Sequence, residues 1–158
     1  MEILNLPKVE FKLRNIGDSK TEIFDSFRKK FVVLTPEEWV RQHFAHFLIN
    51  QIGVPLGLIA LEKKILMNSL TRRFDIVVYS RDVNPLLIIE CKSTAVQISQ
   101  EVFNQAARYN TVLKAPYLVV TNGHVHHACK IDFENLNINF LNSLPLYSEM
   151  INNNSAII

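Results

Sequence analysis

Apolar side chains recur along two stretches of the chain at the spacing of a helix. The first helix is predicted to begin after Thr35, which can cap it, with Pro36 at its first position, and to end near residue 50. The second is predicted from about Ser99 to Leu113. Its apolar stripe contains Val102, Ala106, Tyr109 and Leu113. Both segments are therefore expected to be helices that bury one face.

Five further segments have the apolar, β-branched character of strands. Three lie between the predicted helices, at 58–68, 74–79 and 86–92, and two follow the second helix, at 117–121 and 124–131. The apolar first half of the third strand predicts burial on both faces, as in a central strand. Asn122-Gly123 is predicted to be a two-residue hairpin turn. This order predicts an α/β sandwich built on a mixed sheet flanked by helices.

The two ends of the chain have less regular patterns. Residues 9–14 alternate as a short half-buried strand, and residues 20–33 are predicted to be weakly helical. We expect one domain over residues 1–158, with a core at about 35–131, an N-terminal extension over 1–34 and a frayed tail from about 149 to 158.

Composition places the chain among ordinary globular proteins. Its 158 residues are 48% hydrophobic and 20% charged, and 17 Lys and Arg against 15 Asp and Glu leave a net charge of +2. This balance excludes a polycation of the histone type but allows a local basic groove. The two cysteines make no disulfide framework, and neither a secretory signal nor a membrane-spanning run is visible. We therefore expect a reduced, cytoplasmic protein with no membrane association.

The candidate chemistry lies where the second and third strands meet. Alternation along a strand puts Glu90 and Lys92 on one face and Cys91 on the other. A meander of the two strands brings Asp75 beside Glu90, and two neighbouring carboxylates repel each other unless a cation relieves them. Mg²⁺ suits such a site because it takes hard oxygen ligands, with Mn²⁺ as a substitute. A metal held there can polarise a phosphoryl oxygen and activate a water, beside the ammonium of Lys92.

At these positions the sequence resembles a known superfamily. Asp75, Glu90 and Lys92 match the D…E-x-K signature of PD-(D/E)XK nucleases, and Gln105 with Tyr109 resembles the Q-x-x-x-Y motif of the RecB-like branch. Over roughly residues 22–147, the chain is similar to the nuclease domain at the N-terminus of type I restriction enzyme R subunits. The similarity runs through Thr35–Gln42, Arg73–Val77, Ile89–Ser93, Gln105–Asn110 and Thr121–Gly123. The family fold, α-β-β-β-α-β, has the element order predicted above.

The resemblance implies a metal site. Asp75 and Glu90 would ligate Mg²⁺ together with the backbone carbonyl of Cys91, and Lys92 would assist the attacking water.

In two respects the chain departs from the pattern of the family. Phe74 stands where the superfamily name has proline, and no G-x-x-x-x-G-K-[ST] loop occurs in the sequence, so we expect no DNA translocation by this chain alone.

The resemblance also implies roles for three side chains on the helices. Glu38 would add a carboxylate to the metal shell, and Gln105 and Tyr109, one helical turn apart, would approach the site and the substrate backbone. For Glu38 and for Tyr109 a structural role is the alternative. Glu38 lies three residues after Thr35 and can close a capping box, and Tyr109 lies on the apolar stripe and can be core.

Other charged and metal-binding residue types have simpler interpretations. Arg28-Lys29-Lys30, Lys63-Lys64 and Arg72-Arg73 are short basic clusters, which are typically solvated surface. Arg72 and Arg73, however, directly precede the strand of Asp75 and can contact a phosphate backbone. Glu62 is expected to be an exposed strand charge. A zinc site is disfavoured because its candidate ligands alternate between strand faces, namely His124, His126, His127 and Cys129.

The sequence therefore predicts a Mg²⁺-dependent nuclease of the restriction-endonuclease type that hydrolyses DNA. The alternative is a catalytically inactive DNA- or protein-binding module that retains the fold. A third interpretation is a structural or small-molecule protein with a coincidental E-x-K, which requires Lys92 to lie in a structural ion pair. Expected partners are DNA, and a second copy of the chain or subunits of a larger restriction or defence assembly.

Overall fold

In a computed structural model, which describes residues 2–17, 19–67 and 70–155, strands and helices form two sheets with helices on both faces of the larger one. The side chains of five residues inside these ranges lie outside that description: Met67, Leu70, Arg72, Asn154 and Ser155. The strands are β1 (Leu13–Ile16), β2 (Lys20–Asp25), β3 (Lys30–Val33), β4 (Ile59–Met67), β5 (Leu70–Tyr79), β6 (Pro85–Cys91), β7 (Tyr117–Thr121), β8 (His126–Asp132) and β9 (Asn137–Leu141). The helices are α1 (Pro36–Asn50), α2 (Gln100–Leu113) and α3 (Tyr147–Ser155).

The two predicted helices begin as their caps indicate. Oγ1 of Thr35 accepts the backbone N–H of Glu38 at 3.0 Å, with proline at the first position of α1. Oγ of Ser99 accepts the backbone N–H of Val102 at 3.3 Å, and α2 ends at Lys114, whose φ of +50° is left-handed. Both predictions are confirmed.

The larger sheet has the order β4-β5-β6-β7-β8-β9. β6 and β7 are parallel and are joined across α2, whereas all other neighbours are antiparallel. These two central strands are almost entirely buried. One face packs against α1 and α3 and the other against α2. The predicted α/β fold, α-β-β-β-α-β with a mixed central sheet between helices, is thus confirmed.

The N-terminal residues differ from the prediction. β1, β2 and β3 form a separate antiparallel sheet, so residues 20–33 are a hairpin and not a weak helix. The strand predicted at 9–14 is shifted to Leu13–Ile16. The charges in this segment obscured a period of two, in which Ile23 and Asp25 of β2 are both fully buried.

The C-terminal part of the chain is also more ordered than expected. Residues 149–155 of the predicted frayed tail belong to α3, where Met150 is fully buried, and residues 156–158 lie outside the described part. β9 was not predicted because its residues are mostly exposed and two of its five are asparagine. The sequence of α3 is mostly polar, but its few apolar side chains pack on one face of the core and hold the helix there.

The turn between β7 and β8 is longer than two residues. The backbone N–H of Asn122 donates to the carbonyl of Val125, and Oδ1 of Asn122 accepts the N–H groups of His124 and Val125. β8 therefore begins at His126, two residues later than predicted. Because this asparagine side chain replaces a backbone partner, it stabilises a wider loop than the Asn-Gly pair alone indicates.

An extended N-terminal segment crosses this turn. The N–H of Asn5 donates to the carbonyl of Gly123 at 2.8 Å, and His126 contacts the carbonyl of Asn5 at 2.9 Å. Leu4 is buried in the core beside them. His124, paired with Glu2, and His126 thus fasten the segment to the turn.

Gly123→Ala is expected to lower the free energy of unfolding by about 1–3 kcal/mol, because Gly123 has a φ of +87° and an added Cβ would lie 2.8 Å from Leu4 Cδ2. Urea unfolding measures the change. Gly57→Ala is the control, because no atom lies within 4 Å of a Cβ there and its φ is not positive. Equal stabilities of the two variants would contradict the packing of Leu4 against the turn.

Candidate active site

Two carboxylates lie where the pairing between β5 and β6 ends. Ile76 pairs with Ile89 at this end of the two strands, and Asp75 and Glu90 each lie one residue beyond that pair. Asp75 is buried, and its Oδ2 accepts a hydrogen bond from the backbone N–H of Cys91 at 2.8 Å. The predicted proximity of the two acids is confirmed, and Asp75 is bonded directly to the neighbouring strand.

Side-chain alternation is interrupted in β5 next to Asp75. Phe74 and Val77 both pack on the α2 side of the sheet, whereas regular alternation would put them on opposite faces. In β4, Glu62 has a φ of +50°, in the left-handed region that residues other than glycine rarely adopt. Asp75 and Glu62 both contact Arg41 of α1. The local distortion therefore turns the two acids toward the same helix.

Glu90 and Lys92 form a partly exposed ion pair where β6 ends. Nζ of Lys92 donates to Oε1 of Glu90 at 2.7 Å, and 23% and 19% of the two side chains are exposed. Burial and the charge of Asp75 raise the pKa of Glu90, and Lys92 opposes this change. Burial lowers the pKa of Lys92, but its hydrogen bond to Glu90 and the charge of Glu90 raise it by more. Lys92 is therefore a positively charged ammonium held beside the acids.

Arg41 is a buried cation among these carboxylates. It is 3% exposed, and its Nε and Nη2 donate to Oδ1 of Asp75 at 3.2 and 2.7 Å. Its Nη1 donates to Glu38, and its Nη2 donates to Glu37 at 3.0 Å. Burial lowers the pKa of Arg41, but the charges of Asp75 and Glu38 raise it by more, so the guanidinium keeps its charge. Sequence reasoning missed Arg41, although its place three residues after Glu38 puts both on one helix face.

Both oxygens of Glu38 are engaged. Oε1 accepts hydrogen bonds from Arg28 and from Gln42, the latter at 2.7 Å, and Oε2 accepts one from Arg41. Thr35 caps the backbone of Glu38, but the carboxylate belongs to the ion network and not to a capping box. Its expected role as a metal ligand stays a prediction, and it would require rearrangement of an arginine.

The N-terminal sheet contributes Arg28 to the same network. From the turn between β2 and β3, Arg28 donates to Asp25, Glu38 and Glu62. Gln42 Nε2 bridges Asp25 and Glu38 at 2.8 and 2.7 Å, and its buried Oε1 has no hydrogen-bond partner in the described structure. Glu62 was expected to be an exposed strand charge, but it is half-buried and ion-paired. Long-range packing makes these contacts, so no local pattern predicted them.

Gln105 and Tyr109 lie on α2, one turn apart. Nε2 of the exposed Gln105 donates to the hydroxyl of the half-buried Tyr109 at 3.2 Å. Glu90 lies two residues after Ile88, whose side chain packs on the α2 side of the sheet. The two residues thus occupy the face toward which strand alternation directs Glu90, and their participation in the site stays a prediction.

A cleft of about 630 Å³ has Glu37, Glu38 and Glu62 among its lining residues, and we call it the acid cleft. Asp75, Glu90 and Lys92 are not among the residues that line it. Its lining comes from the β2–β3 turn, β3, α1 and its cap, β4, β5 and the residue after Lys92: Arg28, Lys30, Val32, Val33, Thr35, Pro36, Glu37, Glu38, Arg41, Glu62, Arg73 and Ser93. Arg73 is 54% exposed there, with its Nη1 3.1 Å from Oε1 of Glu62. Arg72 was predicted to contact the phosphate backbone together with Arg73, but its side chain lies outside the described part of the structure.

The donor set fits a divalent cation in its chemistry. Asp75 and Glu90 are carboxylates at neighbouring positions of β5 and β6. Burial and the charge of Asp75 raise the pKa of Glu90, and a bound Mg²⁺ would relieve the repulsion between the two acids. Within residues 2–17, 19–67 and 70–155 no group of three His, Cys, Asp or Glu side chains is arranged to hold a metal. Arg41 instead bonds Oδ1 of Asp75, so a metal there would share or replace that contact.

The thiols of the two cysteines are buried, and the contact of Cys91 with Asp75 comes from its backbone. Cys91 and Cys129 are free and buried, and burial raises the pKa of the Cys91 thiol well above its ordinary value. None of the described helices is long and apolar enough to cross a membrane.

Comparisons with known proteins agree with this geometry. The fold is similar to that of a fragment assigned as an HsdR subunit of a type I restriction enzyme from Vibrio vulnificus YJ016, with a TM-score of 0.53 and 18% identity. The match covers 79% of this chain and 27% of that one, so the chain spans about a quarter of its length. No curated protein sequence matches the chain.

A family model matches the part of the chain that contains the candidate site. The model of the type I restriction enzyme R protein N terminus matches residues 36–145, well over half of the chain, including Asp75, Glu90 and Lys92. The interpretation of E-x-K as a coincidence requires Lys92 to lie in a structural ion pair. Lys92 does form an ion pair, but its partner is Glu90, the other charged residue of the motif. The chain belongs to the family of type I restriction enzyme R protein N termini.

Proposed function

We propose that this chain is a metal-dependent nuclease domain that hydrolyses phosphodiester bonds of DNA, with Mg²⁺ as its natural cofactor. The observation that carries the proposal is the meeting of Asp75 and Glu90 where the pairing of β5 with β6 ends, with Lys92 bonded to Glu90 at 2.7 Å. Family membership supports a restriction-type nuclease.

The side chains divide the work of such a reaction. Asp75 and Glu90 would hold Mg²⁺, joined by the backbone carbonyl of Cys91. When bound, the metal supplies Lewis-acid polarisation of the phosphoryl oxygen and lowers the pKa of a water. Lys92 orients the attacking water or stabilises the developing negative charge. The N–H of Cys91 fixes the Asp75 carboxylate through Oδ2, which limits its freedom to rotate.

Residues around these three would assist them. Arg73, at the rim of the acid cleft, and Arg72 would bind the phosphate backbone, and Gln105 and Tyr109 would approach the substrate from α2. Glu38 would serve the metal through water or after Arg41 withdraws. The proposed setting is the cytoplasm, in a homodimer or in a larger restriction or defence assembly.

One observation favours a second candidate, an inactive module that binds DNA or protein. Arg41 already neutralises Asp75 and Glu38, which reduces the need for a metal. A module of this kind predicts DNA binding that weakens with salt and no strand cleavage.

Plasmid cleavage decides between the two. Purified wild-type protein is expected to nick or linearise plasmid DNA in Mg²⁺ or Mn²⁺ and to be inactive in EDTA. Asp75→Asn, which preserves side-chain volume, is expected to be inactive, while Asp82→Asn, an exposed aspartate in the β5–β6 turn, retains activity. Cleavage by Asp75→Asn at the wild-type rate would identify a contaminating nuclease and refute the proposal. Metal-independent DNA binding without cleavage would support the inactive binding module instead.

A further inference from the structure

The N-terminal sheet forms one wall of the acid cleft. β3 contributes Lys30, Val32 and Val33 to the lining, opposite Glu62 of β4 and Arg73 of β5. The family match begins at residue 36, after this sheet ends. The wall therefore lies outside the region that the family model matches.

The hairpin of this wall is held rigidly. Oδ1 of Asp25 accepts the backbone N–H groups of Phe27 and Arg28 at 2.7 and 2.8 Å, which shapes the turn between β2 and β3. Arg28 then reaches Glu38 and Glu62 with its guanidinium. The turn is thus bonded to α1 through Glu38 and to β4 through Glu62, which places β3 beside these two acids.

Lys30 lies at the cleft end of this wall. It pairs with Asp25 in the β2–β3 register, and cross-strand partners project from the same face of a sheet. Asp25 contacts Gln42 of α1 on that face, so Lys30 is directed to the same side, and it lines the cleft. Lys30 is exposed, and its side-chain ammonium has no hydrogen bond or ion pair with any described residue.

The charges of the cleft are arranged in two layers. In the lower layer, Glu38 and Glu62 are neutralised by Arg28 and by Arg41. At the rim the exposed charges are Lys30, Arg73 and Glu37. Arg73 is partly compensated by Glu62, and Glu37 is paired with Arg41. Lys30 is thus the rim charge that lacks a partner within the protein, and a polyanion is the complementary ligand.

We propose that the N-terminal sheet is the second wall of a nucleic-acid groove, in which Lys30 contacts a phosphate of the DNA backbone opposite Arg73. The proposal rests on the DNA nuclease function given above, and it extends the groove to residues outside the family match. The contact is to phosphate, so it contributes affinity and salt dependence and carries no sequence preference.

The test is equilibrium binding of a fluorescein-labelled DNA duplex in EDTA, where no cleavage occurs, at several salt concentrations. Lys30→Ala is compared with Lys20→Ala, an exposed lysine at the opposite end of the same hairpin. We expect Lys30→Ala to weaken binding about 3-fold or more and to reduce the slope of log K against log salt by about 1, while Lys20→Ala matches the wild type. Thermal unfolding of both variants confirms that the fold is retained.

The outcomes separate this proposal from the proposed nuclease function. If the wild type binds and cleaves DNA but Lys30→Ala binds with an unchanged slope, the groove wall is refuted and the nuclease stands. An equal loss of DNA affinity in Lys20→Ala would also refute the groove wall, because the loss would then come from removing any positive surface charge. If the wild type neither binds nor cleaves DNA, both proposals fail.

Discussion

Replacing Lys92 with glutamine is expected to reduce the rate of DNA cleavage by about 100- to 1,000-fold, the usual effect of removing one group that stabilises charge in a transition state. Glutamine keeps much of the length of the side chain but loses the ammonium that is bonded to Glu90. Single-turnover cleavage of plasmid DNA at saturating Mg²⁺ measures the rate directly.

Lys130→Gln provides the matched control for this loss. Lys130 is also a half-buried lysine on a strand, in β8, but it lies over the ring of Tyr117, far from the acids along the sheet order. The control is expected to cleave at the wild-type rate. A Lys92→Gln rate within a few-fold of this control would show that Lys92 acts only in the ion pair with Glu90.

Arg41→Gln is expected to destabilise the protein by about 3–5 kcal/mol in the absence of divalent metal, the cost typical of leaving a buried charge without its partner. Asp75 and Glu38 are both bonded to this guanidinium, and Arg41 is 3% exposed. Urea unfolding in EDTA measures the effect, with Arg108→Gln on the exposed surface of α2 as the control.

The same variant has a second readout in Mg²⁺. A metal that binds the folded state stabilises it, and one that neutralises Asp75 substitutes for part of the missing guanidinium. The stability difference between Arg41→Gln and the wild type is therefore expected to narrow as Mg²⁺ is added. A difference under about 0.5 kcal/mol in EDTA, the size of an ordinary surface substitution, would contradict the assigned role of Arg41.

The elements that sequence predicted well are those with strong local signals. Thr35 and Pro36 start α1, and the apolar segment before Glu90 is a buried central strand, as caps and composition indicated. The neighbouring positions of Asp75 and Glu90 followed from a simple meander of two strands. These features depend on interactions within a few residues, or between strands adjacent in the chain.

The parts that were missed depend on distant contacts. Arg28 lies in a basic cluster that local reasoning assigns to the solvated surface, yet it bonds Glu38 and Glu62 because the N-terminal hairpin folds back on α1. The left-handed backbone of Glu62 breaks the alternation on which strand reasoning relies. Arg41 was overlooked because its partner Asp75 is 34 residues away in the chain.

The Arg28 contacts have a consequence for local opening of the molecule. If the β2–β3 hairpin separated from α1, Glu38 and Glu62 would lose the guanidinium of Arg28, and Gln42 would lose Asp25. The penalty for separation therefore includes the loss of one of the two arginines that compensate these acids, which leaves Arg41 as their buried cation. The hairpin and the carboxylates should consequently open as one cooperative unit, with amide protons on both exchanging together.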